Sequence, residues 1–406
     1  MKSIKDIYKI GKGPSSSHTM GPQKAAGMYL EHHRDAGKFH VTLYGSLAAT
    51  GKGHLTDVAI NEVLSPHGTV ELEWQPKVFL PGHPNGMTFS VIGADGERHD
   101  EWTFYSIGGG DITCDRLPLD RHPDIYPLNC MTDLLDWCNS NNRSYWEYVA
   151  EHEESDVWDY LNEVWKAMCA SIERGLDMEG ILPGPLHLRR KAASYFVRAE
   201  GYKDVLRTRG LIFAYALAVS EENASGGTIV TAPTCGSCGV LPAVLYHLRN
   251  VYGYSETRIL RSLATAALVG NVVKQNASIS GAEVGCQGEV GVACAMTAAA
   301  ANQLMGGSPS QIEYSAEMGL EHHLGMTCDP VCGLVQIPCI ERNAYAAARA
   351  LDANIYASYT DGLHRVSFDQ VVRVMKRTGK DLPSLYKETG EGGLAAEVQR
   401  VTEIKF

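Results

Sequence analysis

Two patterns of hydrophobic and polar residues succeed each other along the chain. Up to about residue 130, short stretches alternate apolar and polar residues, as in FHVTLYGSLA (39–48) and TVELEW (69–74), and such alternation predicts half-buried strands. MTFSVIG (87–93) and EWTFYSIGG (101–109) flank the turn-forming residues ADGERHD and predict an antiparallel hairpin. From residue 131 the apolar residues recur at helical spacing. The chain is therefore predicted to have an α+β N-terminal domain (1–145) and a mostly all-α helical domain (155–406), with the polar stretch 139–156 as connector.

Long amphipathic stretches predict the helices of the second domain: 156–175, 207–222, 256–275, 289–305 and 341–357. A further helix has a well-marked start, because Ser308 can cap it, Pro309 suits its first position and Gln311 completes a capping box. Gly325 is expected to end this helix, so Cys328 follows a helix end.

Composition narrows the classes of function. The chain has 406 residues, 44% of them hydrophobic, which is enough for two packed cores. Its formal net charge of −11 argues against nucleic acid or an anionic membrane as the main partner, because both would repel it. The longest apolar run (211–219) is too short to span a bilayer, and the first residues carry charges where a signal peptide is apolar. We therefore expect a small-molecule partner, a cytoplasmic location and, by default, a homodimer.

The chain has eleven cysteines, and most of them fall between residues 235 and 339. Cys286 lies among glycines in GAEVGCQGEVG just before a predicted helix, whose free amides and dipole favour a thiolate. Cys339 also precedes a helix, and Cys328 lies in a turn-rich segment. Three thiolates from separate loops would suit a metal cluster between helices, but their spacing fits neither a zinc knuckle nor a ferredoxin. Metal ligation and structural roles therefore both stay open.

A second cysteine motif competes with this set. Cys235 and Cys238 form a C-x-x-C in TAPTCGSCGV, which suits a redox dithiol or half of a zinc site. No second C-x-x-C completes four ligands, and no thioredoxin-like strand and helix surround the motif. We favour the simpler interpretation, a glycine-rich turn leading into a closely packed helix.

Several polar residues outside the cysteine segments are candidates for substrate chemistry. GKGPSSSHTMGPQKAA (11–26) brings hydroxyls and free amides to a helix start, where a carboxylate could bind, although an N-cap is the alternative. His54 and His83 lie in glycine-rich loops. Lys274 ends an apolar helix 12 residues before Cys286 and is either a base of lowered pKa or an ordinary helix-end lysine.

These segments together resemble one family. KIGKGPSSSHTMGP, TGKGHLTD, GHPNGM, NASISGAEVGCQGEVG and GMTCDPVCGLVQIPCIERNA, in this order, resemble the bacterial iron–sulfur L-serine dehydratases, also called L-serine ammonia-lyases. The resemblance implies a 4Fe–4S cluster held by Cys286, Cys328 and Cys339, whose open iron activates the substrate hydroxyl. It implies that L-serine loses water to give 2-aminoacrylate, which then yields pyruvate and ammonia. Pyridoxal phosphate is not needed.

The resemblance also suggests roles for the polar residues. His54 is the first choice for the base that removes the α-proton, with Lys274 as its competitor and His18 as a further catalytic residue. The substrate carboxylate and ammonium would be held at the N-terminal turn, between the two domains, by Ser15, Ser16, Ser17, His18 and Thr19.

Two departures from the family pattern leave alternatives open. The chain has no cysteine after Cys339, whereas some members insert a C-terminal cysteine as a fourth ligand, and Cys235 stands where many relatives carry asparagine. The alternatives are a cysteine desulfidase-like lyase, a zinc or dithiol oxidoreductase using Cys235 and Cys238, and a non-catalytic amino-acid sensor.

Overall fold

The computed structural model describes residues 1–116 and 123–402. Within them the strands are β1 (Ile10–Lys12), β2 (Lys38–Tyr44), β3 (Thr69–Gln75), β4 (Gly86–Ile92), β5 (Arg98–Gly108), β6 (Asp111–Cys114) and β7 (Thr228–Val230). The helices are α1 (Gly21–His32), α2 (Gly45–Thr50), α3 (Thr56–Leu64), α4 (Met131–Asn141), α5 (Tyr145–His152), α6 (Val157–Asp177), α7 (Ala192–Glu200), α8 (Asp204–Ala224), α9 (Val240–Tyr252), α10 (Glu256–Asn276), α11 (Gly281–Val284), α12 (Val292–Met305), α13 (Pro309–Glu321), α14 (Cys339–Ser358), α15 (Phe368–Asp381) and α16 (Gly393–Thr402). The predicted fold class, an α+β N-terminal region followed by a mostly helical one, is confirmed.

Strands β2 to β6 form one five-stranded sheet in the order β3–β2–β4–β5–β6. Strands β2 and β3 are parallel, and the other neighbours, including the predicted hairpin of β4 and β5, are antiparallel. Alternate residues of β2, Phe39, Val41 and Leu43, are fully buried in a core shared with α1 and α3. The predicted strand 39–48 stops at Tyr44, because Gly45 turns the chain with a φ of 52° and α2 follows. We call residues 21–114 the α/β lobe.

The described residues from 123 onwards form the helical body, with α12 at its centre. The alanine-rich α12 is buried along almost its whole length, and Cys294 packs within it as predicted. The predicted long helices are all present as α6, α8, α10, α12 and α14. The predicted capping box of Ser308 and Gln311 starts α13, although this helix ends at Glu321, before Gly325. Among the described residues, no helix is long and apolar enough to cross a membrane.

The N-terminal residues of the chain pack into the helical body. Met1, Ile4, Ile7 and Tyr8 are buried in its core, and β1 pairs antiparallel with β7. These contacts bring the chain from the body into the turn that precedes α1. The N-terminal turn is thereby fixed to both parts of the molecule.

The polar stretch 139–156 is not an extended connector. It contains α5, because Ser144 and Glu147 form a capping box and the helix buries Tyr145 and Tyr148 in the body core. The polar composition of the stretch did not predict that these two tyrosines are buried. The domain limits 1–145 and 155–406 stay a prediction, and the packing attaches both ends of the first range to the helical body.

A three-residue ion bridge joins the α/β lobe to the body. Asp111, at the start of β6, pairs with Lys9 and with Lys274 of α10, whose Nζ lies 2.6 Å from Oδ2. Lys274 also donates to the Asp6 carbonyl at 3.3 Å. Burial opposes the charge of Asp111, but the two ammonium groups hold its pKa below the ordinary value. The bridge therefore ties the first strand, the lobe and α10 together.

Replacing Asp111 by asparagine should lower the free energy of unfolding by about 1–3 kcal/mol, because two neighbouring ammonium groups lose their shared carboxylate. Urea denaturation followed by circular dichroism measures this loss. Asp156→Asn, which removes the partner of the more exposed Lys5, is the control and should cost less than about 1 kcal/mol. Equal losses in the two variants would contradict a structural role for the bridge.

Candidate active site

The turn before α1 is built by its own hydroxyl groups. Residues Ser16–Met20 form a wide helical turn that runs directly into α1, and Ser15 caps it by accepting a hydrogen bond from the His18 N–H at 3.1 Å. Thr19 accepts from the Ser15 N–H at 3.1 Å and donates to the His54 carbonyl at 2.6 Å. Ser15 and Thr19 thus form an N-cap. This is the alternative to a binding site that we considered for this turn from the sequence.

The same turn leaves other donors unused. The hydroxyl of Ser16 and the amides of Ser16 and Ser17 donate to no described residue, although both residues are buried. These amides lie at the start of the helical turn that continues into α1, where free amides offer hydrogen bonds and a partial positive charge to an anion. The assignment of Ser15, Ser16, Ser17 and Thr19 to substrate binding stays a prediction, with Ser16 and Ser17 holding the free groups.

His18 is completely buried beside this turn. Its Nε2 lies 3.1 Å from the Ser46 carbonyl, which can only accept, so Nε2 carries the proton of the neutral ring. Its Nδ1 then accepts from the Ser17 hydroxyl at 2.8 Å. Burial lowers the pKa of His18 to about 4, which keeps the ring neutral near pH 7. His18 is therefore a fixed, neutral ring.

His54 packs edge-on against His18, with ring centroids 4.5 Å apart. It is only 1% exposed, and its Nδ1 lies 3.5 Å from the Thr50 hydroxyl. Its Nε2 has no partner among the described residues. Burial, followed by the neighbouring His18, lowers the pKa of His54 well below 6.5. A neutral ring with a free nitrogen is suited to accept a proton from a ligand.

The three cysteines singled out in the sequence lie near one another in the helical body, close enough to interact electrostatically, and all are buried. Cys286 precedes the helical turn Gln287–Gly291 that leads into α12, Cys339 begins α14, and Cys328 lies in the loop after α13. The thiols of Cys286 and Cys328 contact the same oxygen of Glu289, Oε2, at 3.8 and 3.9 Å. Contact with Cys286, and then burial, raises the pKa of Cys328. Burial raises that of Cys339, and Cys286 adds to it.

Arg342, one turn after Cys339 on α14, supplies positive charge to this cluster of thiols. Its guanidinium donates to the Thr327 carbonyl at 2.7 Å and to Asp329 at 3.3 Å. Burial opposes its charge, but the thiols and Asp329 raise its pKa above the ordinary value. Arg342 was not predicted, although its place one turn after a candidate ligand could have suggested it.

Glu388 connects the histidine pair to the cysteines, and no sequence pattern singled it out. Its N–H donates to the Cys328 carbonyl at 2.8 Å, and its carbonyl accepts from the Ser46 hydroxyl at 2.9 Å. Its Oε1 lies 3.5 Å from His18 Nδ1. Its φ of 60° is left-handed, a conformation that costs a residue with a side chain about 1–2 kcal/mol. The contacts on both sides hold it there.

Several buried polar atoms at the junction of lobe and body lack a hydrogen-bond partner among the described residues. They include His54 Nε2, His83 Nε2, Asn85 Oδ1, Ser106 Oγ, Ser280 Oγ and Glu388 Oε2. Buried polar groups are normally satisfied, so this concentration fits a polar ligand. A cavity of about 390 Å³ opens beside them, and its wall includes Ser46, Pro84, Ser278, Glu283, Lys376, Lys380 and Lys387.

Two other candidates have different surroundings. Lys274 is engaged in the ion bridge to Asp111 and donates to no histidine or cysteine of the described chain. Cys235 and Cys238 are buried in a tight turn before α9, and Asn343 of α14 binds this turn through Gly236 and Gly239. Burial raises the pKa of both thiols. The turn also borders the cysteine site, because Thr234 bonds to Glu289 and Glu289 acts electrostatically on Cys235, and the role of the two thiols stays a prediction.

Comparison with known proteins identifies the family of this chain. The family model described as serine dehydratase alpha chain matches residues 57–395, and that described as serine dehydratase beta chain matches residues 3–69. The chain belongs to the serine dehydratase family. Similar members include L-serine dehydratase of Streptomyces coelicolor, 42% identical over 98% of this chain and 99% of the relative. L-serine dehydratase 1 of Escherichia coli K12 is 40% identical over 98% of this chain and 100% of its own length.

The two matched regions of the serine dehydratase family meet in this site. The beta-chain match contains the N-terminal turn and His54, whereas the alpha-chain match contains all three cysteines and Glu388. The site thus lies where the two family regions contact each other. Both matched regions belong to one chain.

Proposed function

We propose that the protein is an L-serine ammonia-lyase that converts L-serine to pyruvate and ammonia with a 4Fe–4S cluster. The observation that carries the proposal is the convergence of three buried cysteines with the His18–His54 pair, linked by Glu388. The similar relatives are named for dehydration of this substrate.

The residues around the cysteines fit such a cluster. Cys286, Cys328 and Cys339 would hold it, because thiolates are the usual ligands of iron–sulfur clusters. Gly281 keeps side-chain atoms away from them, since a Cβ there would lie 3.2 Å from the Cys328 sulfur. When bound, a cluster with three protein ligands supplies an open iron that acts as a Lewis acid towards the β-hydroxyl.

The remaining steps fall to residues of the lobe and of the N-terminal turn before α1. His54 is proposed to remove the α-proton, because its ring is neutral and Nε2 is free. His18 positions that ring by its edge-on contact. The free amides of Ser16 and Ser17 are proposed to bind the substrate carboxylate at the positive end of α1.

Pyruvate release tests this function directly. Anaerobically purified protein is mixed with L-serine, and pyruvate is followed by coupling to lactate dehydrogenase; L-cysteine is assayed in parallel with a sulfide readout. We expect the larger kcat/KM for L-serine. A larger value for L-cysteine would favour the desulfidase alternative, and binding of L-serine without turnover would favour a sensor.

Arg342 offers a test of the cluster site that does not depend on turnover. Arg342→Met should weaken iron binding about 10- to 100-fold, the usual effect of losing a group that supports metal ligands. Iron and acid-labile sulfide are measured after anaerobic dialysis. Arg349→Met, on the same helix and bonded to the His322 carbonyl, is the matched control and should retain its iron. Equal iron contents would argue against this role of Arg342.

The cellular setting and assembly are also proposals. The eleven cysteines are all free, which suits the reducing cytoplasm, where disulfides are rare. A homodimer is proposed on the general frequency of two-fold assemblies. The zinc or dithiol alternative at Cys235 and Cys238 would give a colourless protein whose activity is lost in Cys238→Ser.

A further inference from the structure

Glu388 differs from Glu289, a second acidic residue of the site, in how its charge is balanced. Glu289 contacts the Thr234 hydroxyl and is attracted by the Arg342 guanidinium. Glu388 is 5% exposed, and no lysine or arginine of the described chain lies within 4.0 Å of its oxygens. A buried carboxylate without a counter-charge is unfavourable, so the surroundings of Glu388 call for a cation.

The described groups next to Glu388 do not supply that cation. Ligand-capable atoms of His18, His54 and Glu388 lie within 4.8 Å of one another. His18 donates from Nε2 to Ser46 and accepts from Ser17 at Nδ1, so the neutral ring has no proton for the carboxylate. Oε2 of Glu388 accepts no hydrogen bond from a described residue. The carboxylate therefore keeps at least one free acceptor beside the proposed base.

Hydrogen bonds on both sides fix the backbone of Glu388. The Glu388 N–H is bonded to the cysteine loop at Cys328, and its carbonyl is bonded to Ser46 of the lobe. The left-handed φ of 60° persists because both contacts specify it. Glu388 is thus fixed relative to both the cysteines and the histidines. A bound substrate would lie between these two groups.

We propose that Glu388 binds the α-ammonium group of the substrate and so makes the site select amino acids over carboxylic acids that lack the amine. The inference rests on the proposed function. L-serine brings an ammonium for Glu388 and a carboxylate for the free amides of Ser16 and Ser17, so each charge of the zwitterion meets a complementary group. Held at these two points, the substrate has its α-carbon fixed beside His54.

The test compares two unreactive ligands on the iron-loaded, anaerobically purified protein. L-alanine carries the ammonium and lacks a leaving group, whereas propanoate lacks the ammonium as well. Ligand-observed NMR titration gives both dissociation constants. Glu388→Gln should weaken L-alanine binding about 10- to 100-fold, the loss expected for a charge-assisted hydrogen bond, and leave propanoate binding unchanged. Glu391→Gln, on the same segment and exposed, should change neither constant.

The outcomes separate this inference from the proposed function. If the wild-type protein forms pyruvate but Glu388→Gln keeps its preference for L-alanine, or loses affinity for both ligands equally, the ammonium role is overturned alone. Loss of iron from Glu388→Gln would also overturn it, because Glu388 would then act on the cluster. If Glu388→Gln does not fold, as judged by thermal unfolding, Glu388→Asp is compared in the same way. Its shorter carboxylate should weaken L-alanine binding only, and equal weakening of both ligands would overturn the role.

Discussion

Replacing Cys286 by serine is expected to remove the iron and abolish pyruvate formation. The Cys286 thiol interacts with both other cysteines, because it contacts the Glu289 carboxylate that Cys328 also contacts and it acts electrostatically on Cys339. Loss of Lewis-acid assistance to the leaving hydroxide removes several kcal/mol of transition-state stabilisation, or about a thousandfold or more in rate. Iron content and pyruvate release are measured on the same anaerobic sample.

Cys169→Ser is the matched control for this change. Cys169 is a free, partly buried cysteine of α6, remote in sequence from the site segments. It should keep both iron and activity. A Cys286→Ser protein that retained its iron and its turnover would exclude Cys286 as a ligand.

Replacing His54 by asparagine should lower kcat by about a hundred- to ten-thousandfold, the usual contribution of a general base, while KM changes little. Release of deuterium from L-serine labelled at Cα reports the same step directly. Because burial and His18 hold the pKa of His54 below 6.5, the wild-type ring is neutral above that pH. The kcat/KM of the wild-type protein should therefore show no loss from this ring as the pH falls from neutrality to 6.5, and an acid limb should appear only below that pH.

Lys274→Met distinguishes the two bases considered from the sequence. Lys274 is paired with Asp111, so its replacement should lower stability as Asp111→Asn does and leave the deuterium release of the folded protein intact. Rapid release in His54→Asn together with loss of release in Lys274→Met would reverse the assignment.

Local patterns in the sequence predicted much of the fold. Alternation marked β3 and the hairpin, helical spacing marked α6, α8, α10, α12 and α14, and the Ser308 capping box marked the start of α13. The predictions failed where a tertiary contact or a single backbone angle decided the outcome. Gly45 ended β2 early, and the buried tyrosines of α5 turned a polar stretch into part of the core.

The site was predictable only in part for the same reason. Cysteines and histidines in glycine-rich loops are conspicuous as residue types, so Cys286 and His54 could be singled out. Glu388 and Arg342 are ordinary charged residues in sequence, and only burial and their neighbours distinguish them. Lys274 looked like a base because the carboxylate that pairs with it lies 163 residues away in the chain.

The central claim is that the buried cysteines hold an iron–sulfur cluster that dehydrates L-serine. Iron and acid-labile sulfide analysis of the anaerobically purified protein, with pyruvate release measured on the same sample before and after exposure to air, tests it most directly. We predict brown protein with about four irons per chain, as a 4Fe–4S cluster requires, that forms pyruvate and loses both colour and activity in air. Protein that stays colourless and iron-free after anaerobic reconstitution, whether or not it forms pyruvate, would contradict the claim.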